Sequence, residues 1–122
     1  MIFCSKNEQG IPAWKLILEE KKDVTRRTKP LPVGAVRSVQ PGRGKKAVCK
    51  FQVLSCCPEL DWQDAHVTPA ELEREARREG FGTWLGLRQW LAAHNPEGKM
   101  LFRIEFKPLF PDAPVLPGAS SS

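Results

Sequence analysis

Between Trp14 and Arg27 the chain changes its hydrophobic period, and that switch constrains the fold more than any other feature. Trp14, Ile17 and Leu18 fall at i, i+3 and i+4, which gives a short helix one apolar face, and the β-branched pair Val24-Thr25 then starts a strand. Pro12 suits the first turn of that helix. Lys22 lies at the turn between the two elements. Residues three apart in a continuous strand point to opposite faces, but across a helix-to-strand turn they can converge. Thr25 and Arg27, two apart, share a face of the strand, and Arg26 points to the other. Lys22, Thr25 and Arg27 are therefore expected to form an inward cluster.

The remaining elements follow from local signals. Ile2 to Cys4 can start the sheet. Pro30, Pro32 and Gly34 break the chain after the first strand, and Ala35 to Val39 reads as a second one, ended by Pro41-Gly42-Arg43-Gly44. From Ala47 the pattern alternates, with Cys49, Phe51 and Val53 on one face and Lys50 and Gln52 on the other, as in a half-buried strand. Thr68-Pro69-Ala70-Glu71 carries a capping residue, a first-turn proline and a capping-box glutamate, so a helix runs from there to Glu79-Gly80. Thr83 caps another helix, with Trp84, Leu87 and Leu91 at i, i+3 and i+7, and Asn95-Pro96 stops it. Phe102, Ile104 and Phe106 alternate with Arg103 and Glu105 in a final strand. The segment after Phe110 lacks periodicity and is expected to be a mobile tail, residues 111–122.

One carboxylate stands out on the second helix. Glu71, Glu73, Arg74, Arg77 and Arg78 cover its polar arc, whereas Leu72, Ala76 and Glu79 fall on one narrow stripe. At about 100° per residue Glu79 lies roughly 20° from Leu72, and Glu75 lies roughly 60° away at the margin. Glu79 is thus aimed inward, where a carboxylate must be paired, hydrogen-bonded or at the mouth of a cavity.

At 122 residues the chain suits one domain with a single modest core. No apolar run approaches the roughly 18 residues of a membrane span, and Met1 to Lys6 lacks the order of a signal peptide, so a soluble cytoplasmic protein is expected. Cys4, Cys49, Cys56 and Cys57 include no C-x-x-C pair, which argues against structural zinc; Cys49 and Cys4 read as small buried hydrophobes. A net charge of +5 favours polyanionic partners or substrates. The excess is local: Arg43, Lys45, Lys46 and Lys50 form one basic cluster, and Lys21, Lys22, Arg26 and Arg27 another. Trp62, Trp84 and Trp90 are expected in the core, and His66 and His94 have no ligand spacing.

The 14–27 stretch resembles the signature of the ASCH domain family, small PUA-like β-barrels in which an apolar, Trp-containing helix precedes a Lys-x-x-Thr-x-Arg segment. Lys22, Thr25 and Arg27 stand at those places, and Glu19-Glu20-Lys21 stands where members often have a glycine before the lysine. The resemblance spans about residues 1 to 110. It implies an α+β fold, a small mixed β-barrel with two to three flanking helices. One branch of the family comprises amidohydrolases that remove the acyl group from N4-acetylcytidine with a lysine, a threonine and a glutamate, and Glu79 aligns with that glutamate. The resemblance implies that Thr25 attacks the acyl carbon, Lys22 accepts the hydroxyl proton, and Glu79 delivers a proton to the departing nitrogen. Trp14, Arg26 and Arg27 are the expected substrate-side residues: Trp14 begins an apolar helical face and reads first as core, with a partly exposed edge that could also stack on a base, and the arginines are charges that lower the Lys22 pKa, with Arg27 or a backbone N–H for the oxyanion. The expected substrate is a small nucleoside bound by a monomer without metal or cofactor. Other family members bind RNA, so the alternative is an RNA- or nucleotide-binding module that contacts phosphate through Arg43, Lys45, Lys46 and Lys50.

Overall fold

The computed structural model describes residues 1–59 and 68–110. The chain runs α1 (Ala13–Leu18), β1 (Val24–Arg27), β2 (Val36–Val39), β3 (Cys49–Glu59), α2 (Pro69–Glu79), α3 (Trp84–His94) and β4 (Leu101–Leu109). The four strands form one antiparallel sheet in the order β1-β4-β3-β2, so the protein is α+β with three helices. The mixed sheet expected from the resemblance is not what these strands make. The parallel component is an isolated bridge, Ile2 to Gln40, rather than a strand. The N-terminal segment nevertheless reaches both sheet edges: Phe3 N and Met1 O bond Gln40 beyond β2, and Ile2 O accepts from Arg27 Nη2 on β1.

Alternation dictates the long strands. In β3 Cys49, Phe51 and Val53 are buried, while Lys50 is exposed and Gln52 half-buried. In β4 Ile104 and Phe106 are buried. Phe3, Phe51 and Phe106 meet with ring centroids 5.1–6.0 Å apart, and Ile17 from α1 closes the same core. A smaller cluster of Ala76, Phe81 and Leu87 joins α2 to α3. Cys49 belongs to the main core, but Cys4 is exposed, because its strand pattern breaks into a single bridge there.

Helix α1 is too short to stand alone, and the N-terminal segment holds it. Ala13 N and Trp14 N, which have no partner within the helix, donate to Ser5 O and Phe3 O at 2.8 and 3.0 Å. Helix α2 begins as the sequence indicates, with Thr68 Oγ1 accepting from Glu71 N. Its far end is fastened to the sheet: Arg78 O accepts from Asp23 N, and the Arg78 guanidinium bonds both Asp23 and Glu105. That anchorage fixes where Glu79, the next residue, can reach. Trp62, His66 and the 111–122 tail lie outside the described residues. No helix among those described is long and apolar enough to cross a membrane.

Candidate functional site

Two helix ends meet at the site. Helix α1 closes with Lys21 N donating to Leu16 O and Glu20 N to Ile17 O; α2 closes the same way, with Phe81 N to Ala76 O and Gly80 N to Arg77 O. The left-handed residue of this motif is Gly80 in α2, at φ +101°, and Glu20 in α1, at φ +59°. The two ends touch so closely that a Cβ on Gly80 would lie 2.8 Å from Leu16 Cδ1 and 3.7 Å from Lys22 Cβ. Lys22 leaves the α1 motif pointing across the end of α2.

Lys22 is 4% exposed, and its Nζ donates to Val24 O at 2.8 Å and to Glu79 O at 2.7 Å. The second acceptor is a carbonyl left unpaired at a helix C-terminus, where a cation is favoured. Glu79 Oε1 lies 3.6 Å from the same nitrogen. Burial pushes the Lys22 pKa down to about 8; Glu79 opposes that shift, and the Arg27 and Arg26 charges add to it. Two hydrogens satisfy the two carbonyls. A neutral Lys22 amine keeps both bonds and retains a free lone pair, so it can act as a base without rearrangement.

Arg26 is 3% exposed and meets three carboxylates. Its Nη1 donates to Glu79 Oε2, its Nε and Nη2 to Glu59 at 2.5 and 2.9 Å, and its Nη2 also to Glu75 at 3.2 Å. Burial alone would disfavour this guanidinium, but bonds to Glu59 and the charges of Glu79, Glu59 and Glu75 hold it firmly protonated. Arg103, directly across the ladder from Arg26, binds Glu75 through two further bonds. Burial would raise the Glu75 carboxyl, yet Arg103 and Arg26 hold it below the usual range. A guanidinium only donates, so Glu79 Oε2 accepts from Arg26, while Oε1 is the oxygen facing Lys22.

On the core face of β1, Thr25 is 4% exposed and its Oγ1 accepts from Arg27 Nε at 3.3 Å. The Arg27 plane lies over the Phe3 ring, 4.9 Å from its centroid. Burial lowers the Arg27 pKa, and Glu79 partly restores it. Lys22, Thr25, Arg27, Glu79, Phe81 and Trp90 line one partly open cavity of about 70 Å³. Arg26 also borders it.

Neither the family models, nor the curated proteins, nor the solved structures compared with this chain contain a match to it.

The residues singled out in the sequence separate cleanly. Lys22, Thr25, Glu79, Arg26 and Arg27 come together at the cavity. Trp14 does not line it; it packs half-buried against the main core. Arg43, Lys45, Lys46 and Lys50 are all exposed, around the β2–β3 turn and the start of β3. The second basic cluster is no surface feature, since Lys22 and Arg26 are buried, Arg27 is half-buried and only Lys21 is exposed. Arg26 does leave the Thr25 face, but α2 covers the face it enters. Glu59, Glu75 and Arg103 were not anticipated as its partners; the usable signal was a charged residue at matching parity on β1, β4 and the margin of α2. The lysine was placed at the end of α1, and the structure adds that it also closes the end of α2.

Proposed function

We propose that this chain is an ASCH-type amidohydrolase that removes a small acyl group from an N4-acylated cytosine nucleoside, using Thr25, Lys22 and Glu79. The observation that carries this reading is the single cavity shared by an ammonium, a hydroxyl and a carboxylate from three separate elements, the ammonium having a pKa of about 8. A base poised near neutral pH suits general catalysis.

In this reading Thr25 Oγ1 attacks the acyl carbon and Lys22 Nζ takes its proton. Arg27, already bonded to Thr25 Oγ1, favours the developing alkoxide and offers its remaining N–H groups to the oxyanion. The bond from the acyl carbon to N4 then breaks, and the proton passes from Lys22 by way of Glu79 Oε1 to the leaving nitrogen. Arg26 fixes the other oxygen of Glu79, so the carboxylate keeps its aim through the cycle. Water hydrolyses the threonyl ester with Lys22 again as base, releasing the carboxylic acid and free Thr25.

The cavity volume of about 70 Å³ is roughly half the 150 Å³ that accommodates a benzene ring. The acylamide therefore enters while the sugar stays at the mouth, which favours short acyl groups. The test is release of cytidine from N4-acetylcytidine. Wild-type turnover is expected, with losses of about 10² to 10⁴ in Lys22→Met, Thr25→Val and Glu79→Gln. An inactive wild type, or three variants as active as the parent, rejects the hydrolase.

A second reading, retention of RNA without turnover, draws on one observation. Residues 24–58 contain eight Lys and Arg and no Asp or Glu, and Arg43, Lys45, Lys46 and Lys50 are exposed within that span. It requires affinity that falls steeply with salt and weakens on charge removal at Lys45 and Lys46; salt-independent binding rules it out.

A further inference from the structure

The wall of the cavity is unbalanced in charge. Lys6, Lys22, Arg26 and Arg27 line it, and among the described residues Glu79 is the one carboxylate that does. Three carboxylates satisfy Arg26, and two carbonyls and Glu79 satisfy Lys22. Arg78 and Arg103, on α2 and β4, likewise have Asp23, Glu75 and Glu105. Arg27 is half-buried and has no carboxylate partner among the described residues. Its contacts are Thr25 Oγ1, Ile2 O and the Phe3 ring, none of them charged. Glu79 acts on it only from farther off, with both oxygens already facing Arg26 and Lys22. A charge drawn out of water is normally paired, and a guanidinium does not escape that demand by losing its proton.

The donors to meet an anion are free. Of the five N–H groups of an arginine, Nε uses one on Thr25 Oγ1 and Nη2 one on Ile2 O, which leaves three. Nη1 has no partner and is open to solvent, since among the described residues the one sealed polar side-chain atom lacking a bond is Trp90 Nε1. Two N–H groups in one plane match the two oxygens of a carboxylate. The guanidinium is also preset, with the Phe3 ring against its face and Thr25 and Ile2 at its edge. A volume of about 70 Å³, roughly half of what accommodates benzene, suits a carboxylate on a short chain. Lys6, exposed at the rim, adds to the attraction for anions.

We infer that Arg27 makes this cavity a binding site for a short-chain carboxylate, the acid that deacylation leaves behind. The source of the carboxylate rests on the hydrolase reading; the site itself does not. In that reaction the acyl carbon to nitrogen bond breaks, water supplies one oxygen to the acyl carbon and one hydrogen to the amine, and its second hydrogen leaves as a proton when the acid ionises. The oxygen beside Arg27 begins as an amide carbonyl, passes through the oxyanion and ends in a carboxylate. Its full charge is reached in the transient oxyanion and again in the product, never in the substrate. Arg27 therefore holds the product more tightly than the substrate at this group, and the released acid competes with the next acylated amine.

The test titrates sodium acetate into the wild type, with sodium chloride and sodium phosphate at matched ionic strength. The Arg27 Nε–H resonance is followed in a proton–nitrogen correlation spectrum, assigned by its absence from Arg27→Met. A saturating shift with acetate, half complete at about millimolar concentration, is expected. Acetate should also raise the urea midpoint of the wild type and of Arg37→Met alike, with at least about tenfold weaker binding in Arg27→Met. With N4-acetylcytidine as substrate, acetate should raise KM and leave kcat unchanged. Saturable acetate binding with no turnover by the wild type supports the site and ends the hydrolase reading. Normal turnover with no response to acetate overturns the site and leaves the hydrolase standing. An equal response to chloride, or tighter binding of phosphate than of acetate, also overturns it, because the cation then does not select a carboxylate. Those arms need only the wild type, so a folding defect in Arg27→Met does not block the decision.

Discussion

The sheet has two edges, β1 and β2, each four residues long and each basic, and they have opposite fates. In β1 Val24, Thr25 and Arg26 are buried; in β2 only Val39 is, and Arg37 is exposed. Propensity does not separate them, since both are short and rich in β-branched residues. What separates them is cover. Helix α2 lies along β1 and brings Glu75 and Glu79, while β3 contributes Glu59, so Arg26 of that edge is enclosed and neutralised. Among the described residues nothing comparable covers β2, and the chain from residue 24 to 58 has no acidic residue of its own to supply. Identical residue types become a charged cavity on one edge and a solvated basic surface on the other.

The sharpest way to break that contrast is to remove one arginine from each edge. Arg26→Met leaves Glu59, Glu75 and Glu79 without their common cation and is expected to cost about 3–5 kcal/mol in urea unfolding. Arg37→Met is expected to stay within about 0.5 kcal/mol, as for an ordinary surface site. Equal effects would mean that the enclosure of β1 contributes nothing specific.

Titration sharpens the same point. The folded Lys22 pKa, about 8, lies below its ordinary 10.5. Between those values the unfolded chain holds a proton that the folded one has released, so stability rises with pH across the window. Wild type measured against Lys22→Met should gain on the order of 3 kcal/mol from pH 8 to 10.5, and the exposed Lys45→Met no such increment. In the hydrolase reading kcat/KM climbs through the same pKa, because the base works only when deprotonated. A flat stability difference would show that Lys22 is solvated.

Much of this was legible in the chain, and for physical reasons. Period-2 runs located β3 and β4, cap residues located α2 and α3, and the helical wheel aimed Glu79 inward, where it is 2% exposed. These are local patterns whose cause lies within a few residues. The cover over Arg26 was not legible, because parity says which face a side chain takes but not what the chain later lays over that face. Trp14 shows the same limit from the other side: an apolar helical face marks it for burial, and only the packing decides between core and cavity. The exposure of Cys4 arose because Ile2 to Cys4 makes one bridge instead of a ladder.

Gly80 tests how tightly the two helix ends define the cavity. Its φ of +101° already disfavours any side chain, and an added methyl would press on Leu16 Cδ1 at 2.8 Å. Gly80→Ala is expected to cost about 1–3 kcal/mol and to displace Glu79 from Lys22, which in the hydrolase reading would also raise KM or lower kcat. Gly44, in the β2–β3 turn, has φ +75° but open space around it, so Gly44→Ala carries only the backbone strain, about 1 kcal/mol. If the two substitutions cost the same, the close approach beside Lys22 has no consequence.

The smallest effect concerns the one non-glycine residue with positive φ among those described, Glu20. It occupies in α1 the position that Gly80 occupies in α2, in a closing motif that favours glycine because a Cβ crowds the left-handed region. Its side chain is exposed, so its replacement disturbs no packing. Glycine relieves the strain in the folded state but gives the unfolded chain more freedom, and the two act in opposite directions. At a left-handed position the strain term is the larger, so Glu20→Gly is expected to stabilise by about 0.5–1 kcal/mol, read as a rise in the urea midpoint at constant slope. A gain there, beside a loss at Gly80→Ala, would show that the two ends of the cavity share one geometry and that α1 alone holds it under strain. A loss would mean that the Glu20 side chain does something for this turn beyond occupying it.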